Sequence, residues 1–197
     1  MVNKPKAKGT AAESAVVAYL QTVGFKYAER LALSGSQDRG DITGVPGIVF
    51  EVKACQEYSF NAWLGEARAE RDNANADFGI VVAKPRMVGT TKTGQWYALM
   101  HAYDYLALLS QAVKEGGSEV RVWTKEMSGN SISTLIAKNL KTALADQISS
   151  DSTHSCVRIA PKGVKDPTLY YVVTTLEQVS DLLVRAGYGR RDDRAGA

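Results

Sequence analysis

Cysteine is nearly absent from this chain: 197 residues hold only Cys55 and Cys156, far apart in sequence. That excludes a disulfide framework and a CxxC metal motif, and it fits a reducing cytosol. Histidine is as scarce, with His101 and His154 alone, which leaves little material for a zinc centre or a serine–histidine triad. Any metal is therefore expected to see oxygen ligands. No apolar run approaches the ~18–20 residues of a membrane span, and the lysine-bearing start lacks the apolar stretch of a signal peptide. A cytoplasmic protein without a membrane partner is the expectation. Net charge is small, 24 Lys and Arg against 21 acids, so charge alone argues weakly for a polyanionic partner. The cations gather at the ends, with Lys4, Lys6 and Lys8 at one and Arg185, Arg190, Arg191 and Arg194 at the other. Taken alone, both clusters read as solvated termini.

What is present is a folding sequence, 45% hydrophobic and 23% charged, the balance of an ordinary globular chain. Ala12, Val16, Val17, Leu20 and Val23 recur at helical spacing before Gly24, which predicts a helix over 10–23. A strand over 25–33, a polar loop over 34–40, and a hairpin over 41–54 turning at Val45-Pro46-Gly47 follow. A helix is expected over 61–76 and a buried strand over "FGIVVAK", 78–84. A glycine- and threonine-rich loop leads to a strand over 96–100 and a helix over 103–114. That order predicts an α/β fold with a central mixed sheet flanked by helices. "KEGGSE", 114–119, is the best boundary, dividing a core, 1–114, from a C-terminal α/β extension, 115–197. The segments 96–112 and 170–186 share Tyr97/Tyr171, Leu108/Leu182, Leu109/Leu183 and Ala112/Ala186 at one offset. Four identities in seventeen positions indicate a shared strand-to-helix corner and are too few for a duplication.

The chemistry concentrates in "GDITGVPGIVFEVKA", residues 40–54. Side chains alternate along a strand, so Glu51 and Lys53 project on one face while Phe50, Val52 and Ala54 take the other. The hairpin returns Asp41 to the same end. Charged pairs on hairpins are common, but these sit inside a run that reads as buried, where charges persist only when paired or bound to a metal. Two carboxylates and a lysine at a strand edge suit a hard divalent cation with an ammonium beside the attacking water.

Asp41, ten residues, then Glu51-Val52-Lys53 resembles the PD-(D/E)xK nuclease signature, with Gly40 where the name has proline. Lys8-Gly9, Glu13, the Ser34-Gly35-Ser36 loop, Asp41, and Glu51 with Lys53 together resemble, in order and spacing, the archaeal-type Holliday-junction resolvases over residues 8 to 100. The resemblance implies a restriction-endonuclease-like core and a Mg²⁺-dependent endonuclease, with Mn²⁺ able to substitute and no organic cofactor. It implies that Asp41, Glu51 and the Val52 carbonyl hold the metal, that Glu13 completes the first or second shell, and that Lys53 positions the water. Thr10 and Glu13 also make a capping box, so Glu13 has two readings. Branched DNA is the implied partner, cut by a homodimer, and a stand-alone nuclease of this type suits a bacteriophage or mobile element. Lys4, Lys6, Lys8, Ser34, Ser36, Arg39, Lys84, Arg86 and Lys92 flank the site and are the candidate DNA contacts. Arg68 and Arg71 are expected to pair with Glu66 and Glu70 within their helix. Trp63 and Trp96 are expected in the core, while Tyr58 and Phe60 are open between packing and DNA contact. The competing functions are a restriction- or repair-type nuclease on linear or flapped DNA, and a non-catalytic DNA-binding or assembly module.

Overall fold

The computed structural model describes residues 4–31, 39–128, 133–149 and 151–189. Helix α1 (Lys4–Thr22) leads into a short strand β1 (Glu29–Arg30), and β2 (Ile42–Thr43) and β3 (Ile48–Lys53) form the hairpin. Helix α2 (Phe60–Ala74), strands β4 (Phe78–Ala83) and β5 (Tyr97–His101), and helix α3 (Ala102–Gly116) complete the first half. The second half runs β6 (Val122–Ser128), α4 (Ser133–Ser149), β7 (His154–Ala160), β8 (Tyr171–Thr175) and α5 (Leu176–Arg185). Among the described residues all eight strands lie in one sheet, ordered β1-β2-β3-β4-β5-β8-β7-β6. The boundary expected at 114–119 falls between α3 and β6, and the strands beyond it join the same sheet through β8, the antiparallel neighbour of β5.

Local chemistry accounts for most of these elements. Gly47 has φ of 82° and Ile48 N–H donates to Val45 O at 3.1 Å, which is the type II turn that proline followed by glycine favours. Helix α2 buries Phe60, Trp63, Leu64 and Ala67, the i, i+3, i+4, i+7 stripe of an amphipathic helix. It stops at Asn75, whose left-handed conformation offers its N–H to Arg71 and Asp72 carbonyls. Strand β4 is buried along its whole length, as a strand with neighbours on both sides and helices on both faces must be. Thr175 caps α5, its hydroxyl accepting from Gln178 N–H at 3.3 Å.

The sheet separates two cores. On one face Phe50, Val52, Ile80, Val82, Ala98 and Met100 pack with α1, α3 and α5. On the other Val81, Leu99, Val173 and Val157 pack with α2 and α4. No described helix is long and apolar enough to cross a membrane.

Two local expectations are corrected. Helix α1 is already running at Lys4, so Thr10 lies inside it and the capping box does not form; Ser14 Oγ instead donates back to Thr10 O at 2.9 Å. Pro5 in the first turn lacks only an N–H that would have had no helical partner, and Gly9 costs too little to stop a helix between good helix formers. The strand expected over 25–33 is reduced to Glu29–Arg30 among the described residues, because Ala28 N–H turns back to Phe25 O at 2.9 Å. Ala32 to Asp38, including Ser34 and Ser36, lie outside the described residues.

Candidate metal centre

Asp41 precedes β2, and its backbone N–H donates to Phe50 O at 2.9 Å, the last rung before the hairpin strands part. One residue pair further along, Asp41 itself replaces the missing strand: its Oδ2 accepts the Val52 N–H at 2.7 Å. In a strand the N–H and C=O of one residue point the same way. The Val52 carbonyl therefore also faces the Asp41 side, whereas the Lys53 carbonyl faces β4 and accepts the Lys84 N–H at 2.8 Å. An open backbone oxygen and two carboxylates thus share one edge.

Glu51 leans over the α2 face and is only 8% exposed. Burial, reinforced by the charge of Asp41, pushes its carboxyl from 4.5 up to about 8. Burial also raises Asp41, with Glu13 adding to the effect and the Val52 N–H working against it. Each of the two carboxyls thus acts on the proton affinity of the other. Lys53 Nζ bridges Glu51 Oε1 and Glu66 Oε2, the latter at 2.7 Å. Burial pulls its ammonium down, but its hydrogen bonds to Glu51 and Glu66 more than offset that and leave it above its ordinary value. Lys53 is accordingly a charged donor at neutral pH and not a base.

Glu13 reaches the site from α1 and acts on Asp41 through its charge. Its Oε2 is held by Arg30, from Nε at 2.9 Å and Nη2 at 2.6 Å. Arg30 was not among the expected site residues, nor were Glu66 and Glu70. Glu70 is 5% exposed and its charge raises Glu51. A signal for it existed in the sequence, because Glu70 continues the Phe60, Trp63, Ala67 stripe and so places a carboxylate at a core-facing position. The ion pairing expected within α2 is corrected: Glu66 takes Lys53, and Arg71 binds Asp72 at 2.7 Å and Asp104 of α3 at 3.2 Å.

The candidate DNA contacts divide. Lys84 and Arg86 follow β4, which runs parallel to β3, so they emerge at the same end of the sheet as Lys53; ligands of open α/β sheets sit at such carboxyl ends. Arg86 is fixed there by bonds from its guanidinium to Gln56 O and from its N–H to the Tyr58 hydroxyl at 3.1 Å. Lys8, Arg39 and Lys92 are exposed, and the side chains of Lys4 and Lys6 fall outside the described residues. Tyr58 and Phe60 pack: the Tyr58 hydroxyl donates to Lys84 O at 3.2 Å, and both rings join Trp63 in an aromatic cluster. Trp63 and Trp96 are buried. A cavity of about 600 Å³ lined by Tyr19, Gln147, His154, Glu177 and Asp181 opens elsewhere in the fold and contains none of these residues. The chemistry argues for the sheet edge over the cavity, because the strongly perturbed carboxylates lie there.

Among the described residues no group of three or more His, Cys, Asp or Glu side chains is gathered to hold a metal ion. Mg²⁺ does not demand one, since it keeps several waters and needs only one or two carboxylates. Asp41, Glu51 and the Val52 carbonyl fit that requirement, and a dication would neutralise the repulsion that raises Glu51.

This has a consequence for stability. Native Glu51 holds its proton up to about 8, whereas its ordinary value is 4.5. The native state binds more protons between those values, so stability without metal falls as the pH climbs through that window. Metal must bind the ionised form, so Mg²⁺ is expected to raise the melting temperature most at the upper end. Thermal melts with and without Mg²⁺ check this, and Glu51→Gln is expected to reduce both the pH slope and the Mg²⁺ response. A melting temperature flat across the window and indifferent to Mg²⁺ would mean that the carboxylates are already ionised.

No protein-family model, curated protein or solved structure matches the chain.

Proposed function

We propose that this protein is a metal-dependent endodeoxyribonuclease acting on branched DNA, with Asp41, Glu51 and Lys53 at its catalytic centre. The observation that carries the reading is the junction of Asp41 and β3: one carboxylate fixed by the Val52 N–H at 2.7 Å, beside a second that is buried and paired with a lysine two residues on.

A Mg²⁺ bound by Asp41, Glu51 and the Val52 carbonyl would polarise the scissile phosphate and stabilise charge growing on the leaving 3′ oxygen. The chain's own groups do the rest. Asp41 is oriented before substrate arrives, because its second oxygen is spent on Val52. Lys53, unable to act as a base while charged, holds the attacking water by donating to it and offsets the negative charge of the incoming phosphate. Glu66 and Glu51 keep that ammonium in place between turnovers. Glu13, tied to Arg30, adds negative potential behind Asp41 and favours a cation there. Attack from the side opposite the 3′ oxygen would form the bond from water to phosphorus as the bond to the 3′ oxygen breaks; the water would give its proton to solvent and the 3′ oxygen would take one from solvent, leaving a 5′-phosphate and a 3′-hydroxyl end. Lys84 and Arg86, with Lys8, Arg39 and Lys92, are the cations that would follow the phosphate path.

The test is cleavage of labelled four-way junction and matched linear duplex in Mg²⁺, Mn²⁺ or EDTA. Metal-dependent cutting confined to the junction is expected. Equal cutting of both substrates keeps the nuclease and removes the branch preference. No cutting by folded protein leaves a DNA-binding or assembly module.

A further inference from the structure

The second half of the chain repeats the architecture of the first. Strand β3, α2, β4, β5 and α3 follow one another as β6, α4, β7, β8 and α5 do. In each set the first two strands are parallel and the third is antiparallel to the second. Helices α2 and α4 share one face of the sheet, and α3 and α5 share the other.

The register at the junction makes this a twofold relation. Between β5 and β8, Tyr97 pairs with Thr175 and His101 with Tyr171, on either side of a central pair, Leu99 and Val173. Each residue of the pair Tyr97 and Tyr171 is thus opposite the fourth residue beyond the other. The corners obey the same symmetry: Ala102 N–H donates to Tyr170 O at 2.7 Å, and Leu176 N–H donates to Trp96 O at 2.8 Å. These are the same bond made once in each direction. An interface in which i meets j and j meets i is what two copies of one unit form about a dyad.

Following the pairing outward gives one row across the sheet, Glu51, Val81, Leu99, Val173, Val157, Lys125. Lys125 therefore stands where Glu51 does, and Met127 stands where Lys53 does. Nothing corresponds to Asp41, because among the described residues β6 ends the sheet and no strand takes the place of β2.

We infer that residues 122–189 occupy the position of a second nuclease subunit, so that the molecule is an internally paired monomer with a single hydrolytic centre and cuts one strand per encounter. The single centre rests on the function proposed above; the internal pairing rests on the register alone. The edge of β5 that a like unit would use is taken by β8, which leaves the homodimer implied by the resemblance without that surface.

The experiment pairs sedimentation equilibrium of the full chain with cleavage, in Mg²⁺, of a supercoiled plasmid whose inverted repeat extrudes a four-way junction. A monomer mass, with open circles accumulating ahead of linear product, is expected. With DNA in excess, added Glu51→Ala protein is expected to leave the rate per wild-type molecule unchanged. A stable dimer overturns the inference, as does linear DNA formed directly from supercoiled, or a rate that falls with the square of the wild-type fraction. A monomer that cuts no DNA upholds the internal pairing and sinks the nuclease assignment instead.

Discussion

Lys53→Ala is expected to lose about 10²–10³-fold in turnover while leaving divalent-metal binding largely in place. The lysine is no candidate ligand: its ammonium is held positive between Glu51 and Glu66. What it supplies is a donor for the attacking water and a charge against the phosphate, both of which matter only when substrate is present. Glu51→Ala differs in kind, because it removes a metal ligand and the partner of Lys53 together, so metal affinity and turnover should fall in parallel. Titration calorimetry with Mn²⁺ separates the two variants, and cleavage rates at saturating metal give the loss in turnover. Equal loss of metal affinity in both would show that the lysine acts by holding Glu51 and has no direct part in hydrolysis. Wild-type turnover in Lys53→Ala would remove it from the mechanism altogether.

The second large effect is on stability. Trp96 is wholly buried, its indole N–H donates to Gly89 O at 3.3 Å, and its carbonyl receives the Leu176 N–H. Trp96→Ala is expected to cost about 3–5 kcal/mol, combining lost transfer energy with the cavity left behind. Set against a domain stability of roughly 5–15 kcal/mol, that is a large share of the total. The denaturation midpoint should drop with the slope unchanged, since the surface exposed on unfolding is nearly the same. Trp96→Phe keeps most of the volume and should recover much of the loss. A cost below ~1 kcal/mol would mean that the surrounding helices close the gap.

Local patterns were legible in the sequence where local physics decides them. The Val45-Pro46-Gly47 turn and strand β4 required nothing beyond proline's fixed φ, glycine's tolerance of positive φ and an unbroken apolar run. The convergence of Asp41 with Glu51 followed from the hairpin and the alternation of its side chains. The start of α1 misled because Thr10 and Glu13 imitate a capping box while the preceding residues are free to be helical. Glu66 was assigned to its own helix because intrahelical pairing is the nearest option in sequence, whereas Lys53 lies nearer in space. The pairing of β5 with β8 left only four identities as its trace, since backbone hydrogen bonds fix the register and place few demands on which apolar side chain fills each row.

The seam between β5 and β8 also shows how readily an exposed strand of this unit accepts another, and the two outer strands bear on aggregation. At one end β1 is two residues long and both, Glu29 and Arg30, are charged. At the other, β6 carries Lys125 half-buried toward α4 and Glu126 exposed on the opposite face, paired with Arg158. A further strand added there would have to strip water from charge on both of its faces, and brevity and edge charge of this kind oppose runaway strand addition. The sheet can recruit its own second half and still resist polymerising, because the hospitable edge is consumed within one molecule and the edges left over are inhospitable.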